Sequence, residues 1–423
     1  MSLSANFNRL DAGATRPGNV MRCFFLATVF LAIFSPTAVY LSAFSIGLLL
    51  FSQKMRAQLP ELLKMVPVRI GLLYLLAVLV GVLYTPAVSH DITKELMVVV
   101  LFTVLLPLWL PAFRHPAWQE RVLLTLLASV VFLSLVMIAN FYHLISWQWQ
   151  HQIFLFRLHY LQQEATLIAL GIYVALHVGM NQRTRLAKVS YIMIAFFLVV
   201  VALIFQHERV GMVLSLVSLL LFCAQHLRCW KWLLVILVGF GLIFSAAYHF
   251  SSPSRHKIDR LIHSGQTLRT NHGTSLAIRW YTAQAALQVA GEKSTFGFGT
   301  GVFSPSKKSM PVLSNQPKAL ELLSRYKPEV GSIFVLLRHG WLGFFIFAGF
   351  LFSWWWASRS LSFHQSSLVF STLAILTLAD CSYPAYYHSR AWVWLFAILV
   401  ATMGSYFSQP GHSAHEDTDQ QNG

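Results

Sequence analysis

Long apolar stretches divided by short polar breaks run along the chain from Met21 to Phe407. Read as helices rising 1.5 Å per residue, most of them reach across the roughly 30 Å of a bilayer's hydrocarbon. About twelve such stretches stand out, at 22–34, 36–52, 69–87, 95–112, 121–144, 161–180, 187–206, 209–225, 230–249, 332–357, 365–382 and 390–408. The pattern predicts an all-α polytopic membrane protein. Three segments follow from where the pattern breaks. Residues 1–249 hold nine spans behind a cytoplasmic N-terminus, 250–328 form one large polar loop containing helices, and 329–408 hold spans ten to twelve. The polar tail 409–423 is read as disordered and cytoplasmic. Arg9, Arg16 and Arg22 ahead of the first stretch give it the look of a signal peptide, but the second stretch follows almost at once, which favours an uncleaved hairpin.

Composition agrees with this reading. Hydrophobic residues make up 56% and charged residues 11% of the chain, where a soluble domain carries about a quarter charged. A net charge of +16 would suggest nucleic acid in a soluble protein; here the basic residues first report orientation, and no nucleic-acid partner is expected. With the N-terminus inside, the inner connections carry Lys54, Arg56, Lys64 and Arg69, then Arg114 and Arg121, then Arg183, Arg185 and Lys188, then Arg228 and Lys231, then Arg359. The short outer connections carry only Lys94, Arg157, Arg209 and Arg390, so both termini are expected in the cytoplasm. The large outer loop is an exception, with eleven Lys and Arg against three Asp and Glu; such a surface suits an anion. Within it, "TSLAIRWYTAQAALQVAGEK" has helical spacing with Thr274 or Ser275 as a cap, and "STFGFGTGVFSPS" reads as a glycine-rich turn.

With this orientation the ionisable residues at membrane depth gather on one side. Arg209 follows "FQHE", Arg279 lies in the large loop, Glu329 precedes span ten, Asp380 ends span eleven, and His388 and Arg390 begin span twelve. Such groups are costly in a bilayer and are therefore paired or functional; against this stands simple snorkelling of arginines to headgroups, above all for Arg157 and Arg390. "GFGTGVF" is neither a Walker loop nor a dinucleotide fingerprint, and a plain turn is the favoured reading. The four cysteines are dispersed without CxxC spacing, and there is no HExxH, DxD-type pair or GxSxG. Neither a metal, a cofactor nor a serine nucleophile is expected, which leaves arginine to carry any charge stabilisation.

At this point the chain resembles the O-antigen ligase family, bacterial membrane glycosyltransferases of the GT-C type related to the O-antigen polymerases. "QHERVGMVLSL" is similar to the family's arginine at the start of a span, here Arg209. "AIRWYTAQAALQ" with "STFGFGTGVF" resembles its loop helix, led here by Arg279. "LADCSYPAYYHSRAW" resembles the stretch with an Asp and then an Arg, here Asp380 and Arg390. The family's His-Asn/Ser/Gln pair, nine residues before Gly-x-x-Gly, departs in this chain: counting back from Gly340 and Gly343, the histidine slot holds Glu329. The resemblance implies transfer of a glycan from undecaprenyl pyrophosphate to a hydroxyl of lipid A core, with inversion and without metal, at the periplasmic face of the bacterial inner membrane. It implies that Arg209 and Arg279 grip the pyrophosphate, with Asp380 and Arg390 as further substrate-binding residues; Arg157, which no family motif covers, is a further substrate-binding candidate as an arginine of a short outer connection. The base is then Glu329 or, as rival, His388. His272 stays open, and His339 is set aside because ten helical residues put it about 15 Å from the slot.

Two other readings stay open: a polymerase of the same superfamily, which the sequence barely separates from a ligase, and a transporter or flippase without chemistry. For the last, no internal repeat is detected and the polar residues lie at one face rather than at the midplane. Glu329 also has a bland reading as a helix-capping acid.

Overall fold

The computed structural model describes residues 16–32, 58–144, 161–206, 209–226, 230–250, 255–256, 258–259, 262, 275–302, 330–382, 385 and 389–404. All the regular structure among them is helical. In chain order the helices are α1 (Arg16–Leu31), α2 (Leu59–Lys64), α3 (Val66–Tyr84), α4 (Ser89–Val100), α5 (Pro116–Phe141), α6 (Leu161–Asn181) and α7 (Arg185–Val200). After them come α8 (Arg209–His226), α9 (Trp230–Phe250), α10 (Ser275–Glu292), α11 (Gly331–Ser358), α12 (Phe363–Asp380) and α13 (Ser389–Met403).

Local chemistry fixes several ends. The Thr184 hydroxyl accepts from the Ala187 N–H at 3.3 Å to open α7, and Ser362 accepts from Gln365 at 3.4 Å to open α12. Helix α4 does not stop at Val100. It widens into a π turn over Leu101–Leu105 and tightens into a 3-10 helix over Leu106–Phe113. Pro107 and Pro111 explain the change, since neither has an N–H to give to an α-helical ladder. A second π turn, Val201–Phe205, ends α7 just before Arg209.

Six of these segments are long and apolar enough to cross a membrane: Val66–Tyr84, Ser89–Phe113, Pro116–Phe141, Gln163–Asn181, Arg185–Phe205 and Gly331–Ser358. Shorter apolar helices, Asn19–Leu31, Val210–His226, Leu237–Ala246 and Ala391–Met403, fall on four more of the expected spans. The expected span 365–382 is helical as α12, and 36–52 lies outside the described residues.

The core has two centres. Helix α13 is buried from Ala391 to Met403, with Trp392 stacked on Phe102 at 3.8 Å between ring centroids and Phe396 edge-on to Trp354 at 5.4 Å. Helix α6 is buried over most of its length between α5, α7, α8 and α12. Helix α13 is apolar all round, as a helix enclosed by other helices tends to be, while α6 is apolar along its middle and carries buried Gln163, Glu164 and Thr166 near its start and His177 near its end. The rim is the opposite. On α3, Leu72, Leu76, Leu79 and Leu83 are exposed at helical spacing, and on α7 so are Val189, Ile192, Met193 and Phe196. These outward apolar stripes are what lipid-facing helices present.

Helix α10 belongs to neither centre. Its Ala285, Ala286, Val289 and Ala290 pack with Phe298 and Val302 on Phe334, Leu336 and Leu337 of α11, a satellite core that seats part of the polar loop on a spanning helix. Small residues on that face let the two backbones approach closely.

Candidate functional site

Helix α11 is two helices joined at one residue. Gly340 has φ 61°, a conformation that costs glycine nothing and other residues strain, and a Cβ there would overlap the Thr295 carbonyl oxygen. The break frees carbonyls at the end of the first half and N–H groups at the start of the second. The turn 293–302, which follows α10 without a linker, satisfies both sets. Phe298 and Gly299 donate to the Leu337 and Arg338 carbonyls at 2.9 and 2.8 Å. In return, Trp341 and Leu342 donate to the Ser294 and Thr295 carbonyls at 2.7 and 3.2 Å. The turn is therefore not a plain surface turn. Gly297, Gly299 and Gly301 all have positive φ, and residues 297–302 are buried.

The same turn is tied to α3. Tyr84 donates to the Phe296 carbonyl at 2.6 Å, and Thr300 donates through its hydroxyl to Val78 at 2.6 Å and through its N–H to Gly81 at 3.3 Å. A buried ionic group completes the joint. Glu95 of α4 accepts the Gly301 N–H at 2.5 Å, pairs with an Arg338 guanidinium nitrogen at 3.1 Å, and meets His339 Nε2 at 3.1 Å. Arg338 Nε donates to the Val302 carbonyl at 2.6 Å. Glu95, Arg338 and His339 are each at least nine-tenths buried. Charges this deep are tolerable when paired and hydrogen-bonded, as these are.

Two helical turns back along α11 lies its N-terminus. Asp380, 2% exposed at the end of α12, accepts the Ser332 N–H at 2.6 Å. An acid there satisfies an orphan donor and complements the helix dipole. Gly331 permits the approach, because a Cβ would overlap the Asp380 carboxylate. Asp380 therefore stands beside the start of α11, three residues after the slot of Glu329. The expected pairing of Asp380 with Arg390 is neither brought together nor excluded, because the Arg390 side chain is outside what is described; its backbone opens α13.

Among the other expected site residues, Arg279 lies on α10, half-buried and engaged with a neighbour. Arg209 is the first residue of α8, its side chain outside the description. Glu329, His388, Arg157 and His272 lie outside the described residues. Sequence reading missed Glu95 and Arg338 and set His339 aside. A carboxylate six residues into an apolar helix was the one signal available for Glu95. A second missed acid, Glu164, is buried near the start of α6 beside Gln163 and Thr166. Helix α6 runs antiparallel to α7 across the short connection at 182–184, so Glu164 lies at the end of the bundle where α7 finishes and α8 begins.

Comparison with curated proteins finds no match. Residues 194–348 match the family model described as O-antigen ligase. The matched stretch runs from α7 into the second half of α11, taking in Arg209, Arg279, the 293–302 turn, Glu329, Arg338 and His339, while Glu95, Arg157, Asp380, His388 and Arg390 lie beyond it. A helix led by arginine, a loop helix docked on a spanning helix and the break that receives its turn thus all fall inside one segment, residues 194–348, that is similar to the O-antigen ligase family.

Proposed function

We propose that the protein is an O-antigen ligase, which passes a glycan from undecaprenyl pyrophosphate to a hydroxyl of lipid A core at the periplasmic face of the inner membrane. The observation that carries this reading is the family match over 194–348, which contains both of the arginines expected to face the donor and the slot of the base. The family is one of membrane glycosyltransferase-like enzymes. The basic inner connections support cytoplasmic termini and an outward site.

In this reading the acceptor oxygen attacks the anomeric carbon while the bond to the pyrophosphate oxygen breaks, with inversion. Undecaprenyl pyrophosphate leaves with the bonding pair, and the acceptor proton goes to a base. Pyrophosphate needs charge stabilisation more than protonation, and the planar forks of Arg209 and Arg279 supply paired charge-assisted hydrogen bonds without a metal. Arg157 and Arg390 extend the cationic surface, and Asp380 holds the start of α11. Glu329, just ahead of that start, is the base, with His388 as its rival.

Complementation tests the reaction. In a strain lacking its own ligase, the gene restores polymer on lipid A core and relieves accumulation of lipid-linked polymer. Restoring chain length in a polymerase-deficient strain instead would make it a polymerase and end the ligase reading. In a purified assay, Arg209→Lys and Arg279→Lys lose most transfer while the protein still inserts; near-normal activity of both removes the pyrophosphate grip. Glu329→Gln nearly abolishes transfer with donor binding kept. An active Glu329→Gln together with an inactive His388→Ala moves the base to His388.

A further inference from the structure

The carboxylate of Glu95 joins three elements that are far apart in sequence. It sits on α4, holds the Gly301 N–H of the turn, and pairs with Arg338 of α11, whose own Nε returns to the turn at Val302. Both ends of the turn's last four residues are thereby fixed: Gly299 by its N–H to the Arg338 carbonyl at 2.8 Å, and Val302 by the Arg338 side chain at 2.6 Å. Helix α10 ends at Glu292 and the turn begins at the next residue, so α10 is a lever whose base is this joint.

Arg279 lies thirteen residues up that lever, roughly 20 Å from the base at 1.5 Å per residue. A pivot of about 10° at the joint would carry Arg279 some 3 Å sideways, while a 1 Å misplacement is enough to cost on the order of a hundredfold in a positioned reaction. The satellite core of alanines on α11 resists separation of the two helices. With three alanines and only Val289 for bulk on the α10 face, that packing does less against pivoting, so direction has to be set at the base.

We propose that Glu95 is a positioning residue for transfer: by clamping the 297–302 turn to the break in α11, it aims α10 so that Arg279 meets the donor above the start of α11. The inference rests on the ligase reading for what Arg279 does, and on geometry alone for what Glu95 holds. Glu95 touches neither substrate nor reacting atoms in this account. Its influence passes through the turn and α10.

The experiment uses full-length protein in nanodiscs. Spin labels at Gln284→Cys on α10 and Phe352→Cys on α11, both exposed, are placed in a background lacking the native cysteines, and their distance distribution is measured with Glu95 and with Glu95→Gln. Transfer is measured in parallel on unlabelled protein. Glu95→Gln is expected to broaden or shift the distribution and to cut transfer at least tenfold, with a raised KM for the lipid-linked donor. Glu95→Gln/Arg338→Gln, which removes both charges and leaves an amide pair, is expected to narrow the distribution again and recover part of the transfer. It also serves should the single variant not fold. An unchanged distribution in Glu95→Gln, or a broadened one with full transfer, overturns the proposal. Failure of the ligase reading is seen separately, as absence of transfer by the unmodified protein, and leaves the distance measurement to decide the clamp.

Discussion

Two clusters of ionisable side chains lie on different helices, one on α4 and α11 and the other on α6, α8 and α12, and they are built on opposite terms. In the first, the Glu95 carboxylate has both oxygens engaged and Arg338 has bonds on two nitrogens; among the described residues only His339 Nδ1 in that group is left without a partner. In the second, where α6 and α8 finish and α12 begins, His177, His226 and His364 come together with ring centroids 5.5 to 6.3 Å apart. There the buried His177 Nδ1 and His226 Nε2 have no hydrogen-bond partner among the described residues. The first cluster is a joint that several strands of chain depend on. The second is a meeting of rings that pack by contact, with His226 also bonded to the Phe222 carbonyl of its own helix at 3.3 Å. A buried network whose charged groups are all engaged fixes geometry, whereas imidazoles left short of partners hold little that an apolar ring would not hold.

The largest effect expected from this contrast is at Arg338. Arg338→Met leaves Glu95 buried beside an uncompensated site, and loss of one partner of a buried pair costs about 3–5 kcal/mol. The expected outcome is a sharp fall in the thermal stability of detergent-purified protein. Stability equal to that of the unaltered protein would break the comparison at its stronger end.

Next comes the break itself. Gly340→Ala forces a side chain into φ 61° and against the Thr295 carbonyl, which costs about 1–3 kcal/mol in backbone strain before the overlap is counted. Proteolysis of the 293–302 turn should accelerate in this variant, because the turn can no longer seat; unchanged cleavage would mean the turn is held without the break.

Asp380→Asn separates support from chemistry. An amide oxygen still accepts the Ser332 N–H, so the expected stability loss is the helix-dipole share of about 0.3–1 kcal/mol. A transfer loss of tenfold or more beside so small a change in melting would place Asp380 in the reaction, and unchanged transfer would leave it as the cap of α11.

The smallest effect belongs to the histidine cluster. His177→Phe exchanges a buried ring that has an unpartnered nitrogen for an apolar ring of similar shape, and stability is expected to stay within about 1 kcal/mol or to rise. A loss comparable to that of Arg338→Met would show that the imidazoles carry a bond network after all, and would erase the difference between the two clusters.

Much of the helix pattern was legible because burial in lipid or in a helical core writes itself locally, as long apolar runs. The stretch 332–357 became Gly331–Ser358, and "TSLAIRWYTAQAALQVAGEK" became the helix Ser275–Glu292. The glycine-rich turn was legible as a turn, since three glycines at alternate positions ask for unusual backbone. Its burial was not, because that depends on a gap in α11 about forty residues later in the chain. Asp380 was marked by its place at a membrane end, but its bond to Ser332 is a contact across 48 positions.

Sequence by itself determined that the chain is helical, apolar enough for a membrane, basic in one long polar stretch, and similar over residues 194–348 to the O-antigen ligase family, because each of these is a property of composition, local period or short motif. Tertiary structure alone decided that Glu95 meets His339 across 244 positions, that Gly340 interrupts a helix whose sequence reads as continuous, and that the loop's turn fills the interruption. The physical reason is the same in all three cases. A buried charge and a freed backbone group are each defined by what lies opposite them, and no local pattern records the partner.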